Sequence, residues 1–104
     1  MENLKDDQFK KFQVTIRFYM DEKFMKLVPP HRAYINELIE KNIVEHYAVS
    51  METQRSWMII TATDKKEVEE YLSKSSLHDY WTIEIDELFV YDSPAYRLPA
   101  LQLN

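Results

Sequence analysis

Three histidines, His31, His46 and His78, with Glu84 and Arg17, are the residues of this 104-residue chain whose types could move a proton. Proton transfer beside a carbonyl needs a base of suitable pKa and a group that stabilises the developing enolate. His31 sits in PPHRAYINELIEKN, residues 29–42, in the first turn of an expected helix. The positive end of the helix dipole disfavours an imidazolium there, so a neutral imidazole is expected, the form a base requires. The structural alternative is a partly buried histidine bonded to a nearby backbone carbonyl. His46 falls in the β-rich stretch IVEHYAVSM, and strand parity turns it away from the helices. It should therefore not share one site with His31, and its structural alternative is a polar contact across a subunit interface. Arg17 and Glu84 are expected to face each other across neighbouring strands as an ion pair. His78 and Asp79 are adjacent in sequence, and since neighbouring side chains diverge they read as a solvated loop.

Composition narrows the chemistry. There is no cysteine, which removes disulfides, zinc–thiolate sites and thiol nucleophiles. There is no glycine either, and loops that cradle phosphate through backbone N–H groups depend on it, so P-loop and dinucleotide fingerprints are excluded. Positions needing positive φ should fall to Asn or Asp. The formal charge of −5, with no stripe of Lys and Arg, argues against nucleic acid. The histidines lack His-x-His or His-x-x-x-His spacing, so neither a metal nor a cofactor is expected. The amino-terminal stretch MENLKDDQFKKF has no apolar core of a secretion signal, and no apolar run approaches the ~20 residues that span a bilayer. A soluble, cytoplasmic protein without membrane contact is the expectation.

The elements that must position these groups can be read from periodicity. FQVTIRFY (12–19) alternates strictly, with Phe12, Val14, Ile16 and Phe18 on one face. Phe24, Val28, His31, Ile35 and Leu38 follow a helical stripe, which Pro29 and Pro30 are expected to break into a short turn at 22–27 and a helix at 30–41. Asn42 supplies the left-handed residue after that helix. Residues 43–51 and 56–62 read as a hairpin around ETQR. A second helix spans 63–76, with Asp64 and Glu67 as a capping box and Val68, Tyr71, Leu72 and Ser75 inward. The last strand, 82–91, slips in phase, which a bulge near Asp86–Glu87 would explain. The order β-α-β-β-α-β is the split-βαβ, ferredoxin-like α+β arrangement: a four-stranded antiparallel sheet with both helices on one face.

The other face should carry Thr15, Arg17 and Tyr19, then Val44, His46, Ala48 and Ser50, then Thr82 and Glu84. The third strand is apolar on both faces, so sheet-to-sheet association is expected, a homodimer or larger homo-oligomer. The chain reads as one domain over 1–92, loose over 1–11, followed by an extended tail over 93–104. Tyr96, Leu98, Leu101 and Leu103 make that tail too apolar for a free end, and it is expected to pack on a neighbouring subunit.

Several local stretches resemble the muconolactone isomerases of the dimeric α+β barrel superfamily. Phe12 and Val14 match their first strand, Glu37–Leu38 the end of their first long helix, and His46 a histidine just after it. Ser76–Leu77, Tyr80, Ile83–Glu84 and Leu88 match their last helix-to-strand passage, so the resemblance covers residues 12–92 at scattered positions. It implies a sheet-to-sheet dimer, assembled further into a ring or decamer, and a cofactor-independent reaction that shifts a double bond within a small unsaturated lactone. Under it His31 or His46 would be the base and Glu84 an orienting or proton-shuttling carboxylate. Arg17, Tyr34 and Trp57 would form the substrate-binding set. The chain departs from the family at Asn42, which stands where a glycine ends the helix, at the proline pair, and in its apolar tail. The alternative is a noncatalytic dimeric module that binds a small ligand or only assembles.

Overall fold

The computed structural model describes residues 8–94 and the backbone of 96–97. Along the chain run β1 (Lys10–Phe18), α1 (Phe24–Glu40), β2 (Val44–Ser50), β3 (Arg55–Ala62), α2 (Lys65–Ser73), a 3-10 turn (His78–Tyr80) and β4 (Trp81–Glu87). The two-residue strands β5 (Asp92–Ser93) and β6 (Tyr96–Arg97) pair as a small hairpin. The main sheet is antiparallel throughout, in the order β2-β3-β1-β4, and the element order is ferredoxin-like.

Alternation in β1 buries Phe12, Val14 and Ile16 against the helices, where Ile35, Leu38, Met58, Ile60, Val68 and Leu72 close the core. Full burial of one such side chain is worth about 1.5–3 kcal/mol. A second cluster closes one end: Phe18 stacks on Phe24 with centroids 5.5 Å apart, and Tyr80 meets Phe24 edge-on at 5.3 Å. The Tyr80 hydroxyl donates to Asp21 at 2.9 Å, and the same carboxylate oxygen accepts from the backbone N–H groups of Lys23 and Phe24. Asp21 thus caps the start of α1 although it lies outside the helix. At α2 the capping box forms: Glu67 N–H donates to Asp64, and the Glu67 carboxylate accepts from Thr63 N–H at 2.7 Å.

Four expectations are corrected. First, α1 is one helix of 17 residues with Pro29 and Pro30 inside it, not a turn followed by a helix at 30–41. The missing proline N–H groups leave Met25 and Lys26 without their i+4 donors. Burial of Phe24, His31, Ile35 and Leu38 along one stripe holds the helix together across the gap, and Ser76 donates to the neighbouring Leu27 carbonyl at 2.7 Å. Second, the irregularity lies in β2, not near Asp86–Glu87. The register slips between Val44 and His46, while β4 pairs with β1 without a shift and ends at Glu87. The slip turns Val44 into the core, 1% exposed, and not onto the open face. Third, Asn42 takes the expected left-handed conformation at φ 62°, but the hairpin places Gln54 there too, at φ 54°. Fourth, β1 starts at Lys10, so the end of the segment expected to be loose is strand, and Lys11 is buried. Residues 95 and 98–104, which carry most of the apolar tail, lie outside the described residues, as do 1–7.

Candidate functional site

His31 is 2% exposed, and each ring nitrogen is bonded to a hydroxyl. Nδ1 lies 2.7 Å from Ser75 Oγ and Nε2 lies 2.7 Å from the Tyr47 hydroxyl. The partners are side chains from α1's neighbours, not the backbone carbonyl that sequence alone offered as the alternative. Trp81 presents its face or edge to the ring at 5.5 Å and 83°. Burial, with the Arg32 charge beside it, lowers the His31 pKa from 6.5 to about 4, so the imidazole is neutral at pH 7; the helix dipole is not the cause, because His31 lies in the middle of α1 and not in its first turn. Burial also raises the Tyr47 pKa, against the opposing charge of Arg32, whose guanidinium lies 5.7 Å from the Tyr47 ring centroid.

These residues border a cavity of about 160 Å³ beneath the first half of α1. Phe18, Phe24, Val28, Leu77 and Trp81 make its wall mostly apolar, and Met25 and Met51 stand at its rim. Ser56 is the exception. It is 5% exposed, lines the cavity, and its hydroxyl has no hydrogen-bond partner among the described residues. Ser56, with Arg32, acts to favour the ionised form of the Tyr47 phenol against the effect of burial.

The remaining candidates lie elsewhere. His46 is on the opposite, open face of the sheet, edge-on to Tyr91 at 6.3 Å. Trp57 shares that face, opposite Ala48 and Thr15, and lines a shallow depression with His46, Gln13 and Ile59. Arg17 and Glu84 are diagonal, not opposed: Arg17 pairs with Thr82 and Glu84 with Thr15. The four line a small pocket, and no ion pair joins Arg17 to Glu84 among the described residues. Tyr34 points between the helices and donates to the Tyr71 carbonyl at 2.7 Å. His78 borders an open groove of about 560 Å³ between α2 and β4, together with Lys65, Glu69 and Ser73. Of the six site candidates, only His31 reaches the cavity beneath α1.

Sequence reasoning missed Tyr47, Ser56 and Ser75 as its companions. The helical spacing of Val68, Tyr71, Leu72 and Ser75 puts Ser75 on the inner face of the helix expected over 63–76, and that is the available signal. Tyr47 was not singled out, although parity with His46 and Ala48 on the open face already turns it toward the helices; the β2 slip misplaces Val44, not Tyr47. Lys11 was missed as well. Its ammonium, on the open face, donates to Glu45 and to the Thr61 hydroxyl, each at 2.7 Å, and lies 5.9 Å from the Tyr91 ring centroid. Among the described residues no three of His, Asp and Glu converge as metal ligands, and no helix is long and apolar enough to cross a membrane.

No protein-family model matches the chain, and no curated protein matches it. Among solved structures, protein SO0527 from Shewanella oneidensis is similar over 78% of this chain and 92% of that one. Identity is 15% and the TM-score 0.47, a likeness too loose to carry an argument.

Proposed function

We propose that the chain is a cytoplasmic small-molecule-binding protein whose ligand occupies the cavity between α1 and the sheet. The observation that carries this is the Ser56 hydroxyl, buried on an apolar cavity wall without a hydrogen-bond partner among the described residues. A buried polar group left in that state costs about 1–3 kcal/mol, which a bound ligand offering a hydrogen bond removes. The volume, about 160 Å³, is below the ~300–1,000 Å³ of drug-sized sites, so the ligand is small. Its apolar body would rest on Phe18, Phe24, Val28 and Trp81. The test is a titration of the isotope-labelled full chain with water-soluble four- to six-carbon ketones, alcohols and esters, followed by NMR. Shifts should concentrate on Ser56, Tyr47, His31 and Trp81. Shifts confined to Trp57 and His46, or none at millimolar probe, would remove the reading.

A second reading is favoured by the His31–Tyr47 hydrogen bond at the cavity wall: a muconolactone isomerase-like, cofactor-independent proton transfer within a small unsaturated lactone or carbonyl compound. Both nitrogens of His31 are engaged, so it would act through the Tyr47 hydroxyl and not by direct contact. His46, Glu84, Arg17 and Trp57 could join such a site only if a second copy of the chain met the open face, as the homodimer or ring of this reading requires. Incubating an unsaturated butenolide with the protein in D₂O should then move the double bond and exchange the adjacent proton. A solution mass of one chain, 12.6 kDa, together with no exchange above buffer, would leave binding alone.

A further inference from the structure

We propose that the outer edge of β4 is a docking site for an extended peptide of another protein, one that alternates basic and apolar residues and adds a strand to the sheet. The proposal is independent of the cavity beneath α1.

The register of β4 on β1 decides which backbone groups face outward. Tyr19 N–H donates to the Tyr80 carbonyl at 3.2 Å, and Leu88 N–H donates to the Lys11 carbonyl at 2.9 Å. Both bonds lie in the register that pairs Arg17 with Thr82, Thr15 with Glu84 and Gln13 with Asp86. Bonded and unbonded pairs alternate in an antiparallel ladder, so Thr82, Glu84 and Asp86 turn their N–H and C=O groups toward β1. Those of Ile83 and Ile85 point the other way, and β4 is an outermost strand of the sheet. No hydrogen bond reaches them from elsewhere among the described residues. The opposite edge differs, because β2 is interrupted by its slip between Val44 and His46 while β4 runs regularly. A regular open edge is a template for a further strand, and a bulged one is a poor template.

The side chains give the occupant its pattern. Ile83 and Ile85 pack on the core but stay half-buried. With Lys65, Glu69, Ser73 and His78 they line the groove of about 560 Å³ between α2 and β4. A strand paired with Ile83 and Ile85 turns the side chains opposite them into that groove, where apolar ones cover the two isoleucines. Its alternate side chains fall beside Thr82, Glu84 and Asp86, all exposed on the open face. No ion pair engages Glu84 or Asp86 among the described residues, so a basic side chain there meets an unmatched negative charge. A second copy of the chain does not suit. Antiparallel β4–β4 pairing with Ile83 opposite Ile85 sets Glu84 against Glu84, and pairing with Ile85 opposite Ile85 sets Glu84 against Asp86.

The probe is the end-capped pentapeptide Lys-Val-Lys-Val-Lys, with Glu-Val-Glu-Val-Glu as control, each added to the isotope-labelled full chain and followed by amide hydrogen exchange. In the protein alone the Ile83 and Ile85 amides should exchange rapidly while those of Glu84 and Asp86 are protected. The basic peptide should slow Ile83 and Ile85 and bind about tenfold more tightly than the acidic one, the scale of two cross-strand charge pairs. Glu84→Lys combined with Asp86→Lys should reverse that order, on an exposed face where neither substitution touches the core. Ile85→Pro, tolerated at a sheet edge, removes one outward N–H without breaking a bond to β1 and should weaken the basic peptide severalfold. Equal affinity for the two peptides, protection confined to the edge of β2, or no slowing of Ile83 and Ile85 at millimolar basic peptide would overturn the proposal. So would a solution mass of two chains with Ile83 and Ile85 already protected, since a second copy would then hold the edge.

Discussion

The two faces of the sheet each bury one nitrogen base that ought to prefer water, and they treat it in opposite ways. On the helix face His31 is held neutral between two hydroxyls, beside a void. On the open face Lys11 is held among Glu45, Thr61 and the Tyr91 ring, where the chain after β4 crosses back over the strands. A buried charge must be matched at once by an opposite charge and hydrogen bonds, and this arrangement leaves little room for a ligand. A neutral polar chain demands only that each proton find an acceptor, so it tolerates an open position at one end. The Lys11 cluster therefore reads as architecture. The His31 cluster ends at a cavity, and it is the place where binding can occur.

The sharpest way to break this comparison is to remove the carboxylate that the buried ammonium meets. Glu45→Leu removes the carboxylate and leaves the Lys11 ammonium enclosed, and it should cost about 3 kcal/mol in urea unfolding. The Lys11→Met, Glu45→Leu double variant should recover most of that loss, because a matched apolar pair carries no desolvation penalty. A single-variant loss below about 0.5 kcal/mol would mean that the ammonium reaches water and the ion pair is only superficial.

The helix face should instead register pH. Its histidine has a folded-state pKa of about 4 against 6.5 unfolded, so the unfolded chain binds the proton more readily. That contribution to stability is fully present above pH 6.5 and is lost as the pH falls through the window down to about 4. It should amount to on the order of 2 kcal/mol in unfolding free energy. Other groups titrate over the same range, so the informative quantity is the difference between wild type and His31→Gln, which should flatten across this window. An unchanged slope would place the His31 proton affinity near its ordinary value, and the description of a neutral, enclosed imidazole would fail.

How legible all this was in the sequence depended on whether one local rule governed the residue. The alternation Phe12, Val14, Ile16, Phe18 and the Asp64–Glu67 box each express a single rule and gave the core strand and the helix start directly. The burial of His31 followed from its place on the α1 stripe. Its partners did not. Parity puts Tyr47 on the helix side but cannot say which helix residue it meets, and it puts Val44 on the wrong face, because β2 slips one residue between Val44 and His46 and no propensity marks that slip in VEHYA. The prolines misled for a related reason. Their local penalty is real, but the packing of four residues along one face of α1 outweighs it, and packing is not visible in a window of sequence. Lys11, in a charged stretch near the amino terminus, looks like any solvated lysine until Glu45 and Thr61 are brought to it from β2 and β3.

The smallest expected effects distinguish the two faces most cleanly, because they differ in sign. Thr61→Val on the open face keeps the shape and deletes one acceptor of the Lys11 ammonium, which should destabilise the protein by about 1 kcal/mol. Ser56→Ala on the helix face deletes a hydroxyl that has no hydrogen-bond partner among the described residues. Nothing is broken by its loss, and a buried polar group is relieved, so stability should stay level or rise by up to about 1 kcal/mol. The same substitution should weaken binding of a small ketone severalfold, since it removes a hydrogen-bonding hydroxyl from the cavity wall. A residue that makes the protein no more stable and yet strengthens a complex belongs to function and not to the fold. If Ser56→Ala instead destabilises the protein as Thr61→Val does, the hydroxyl is bonded in the folded state after all, and the two faces are alike in being closed.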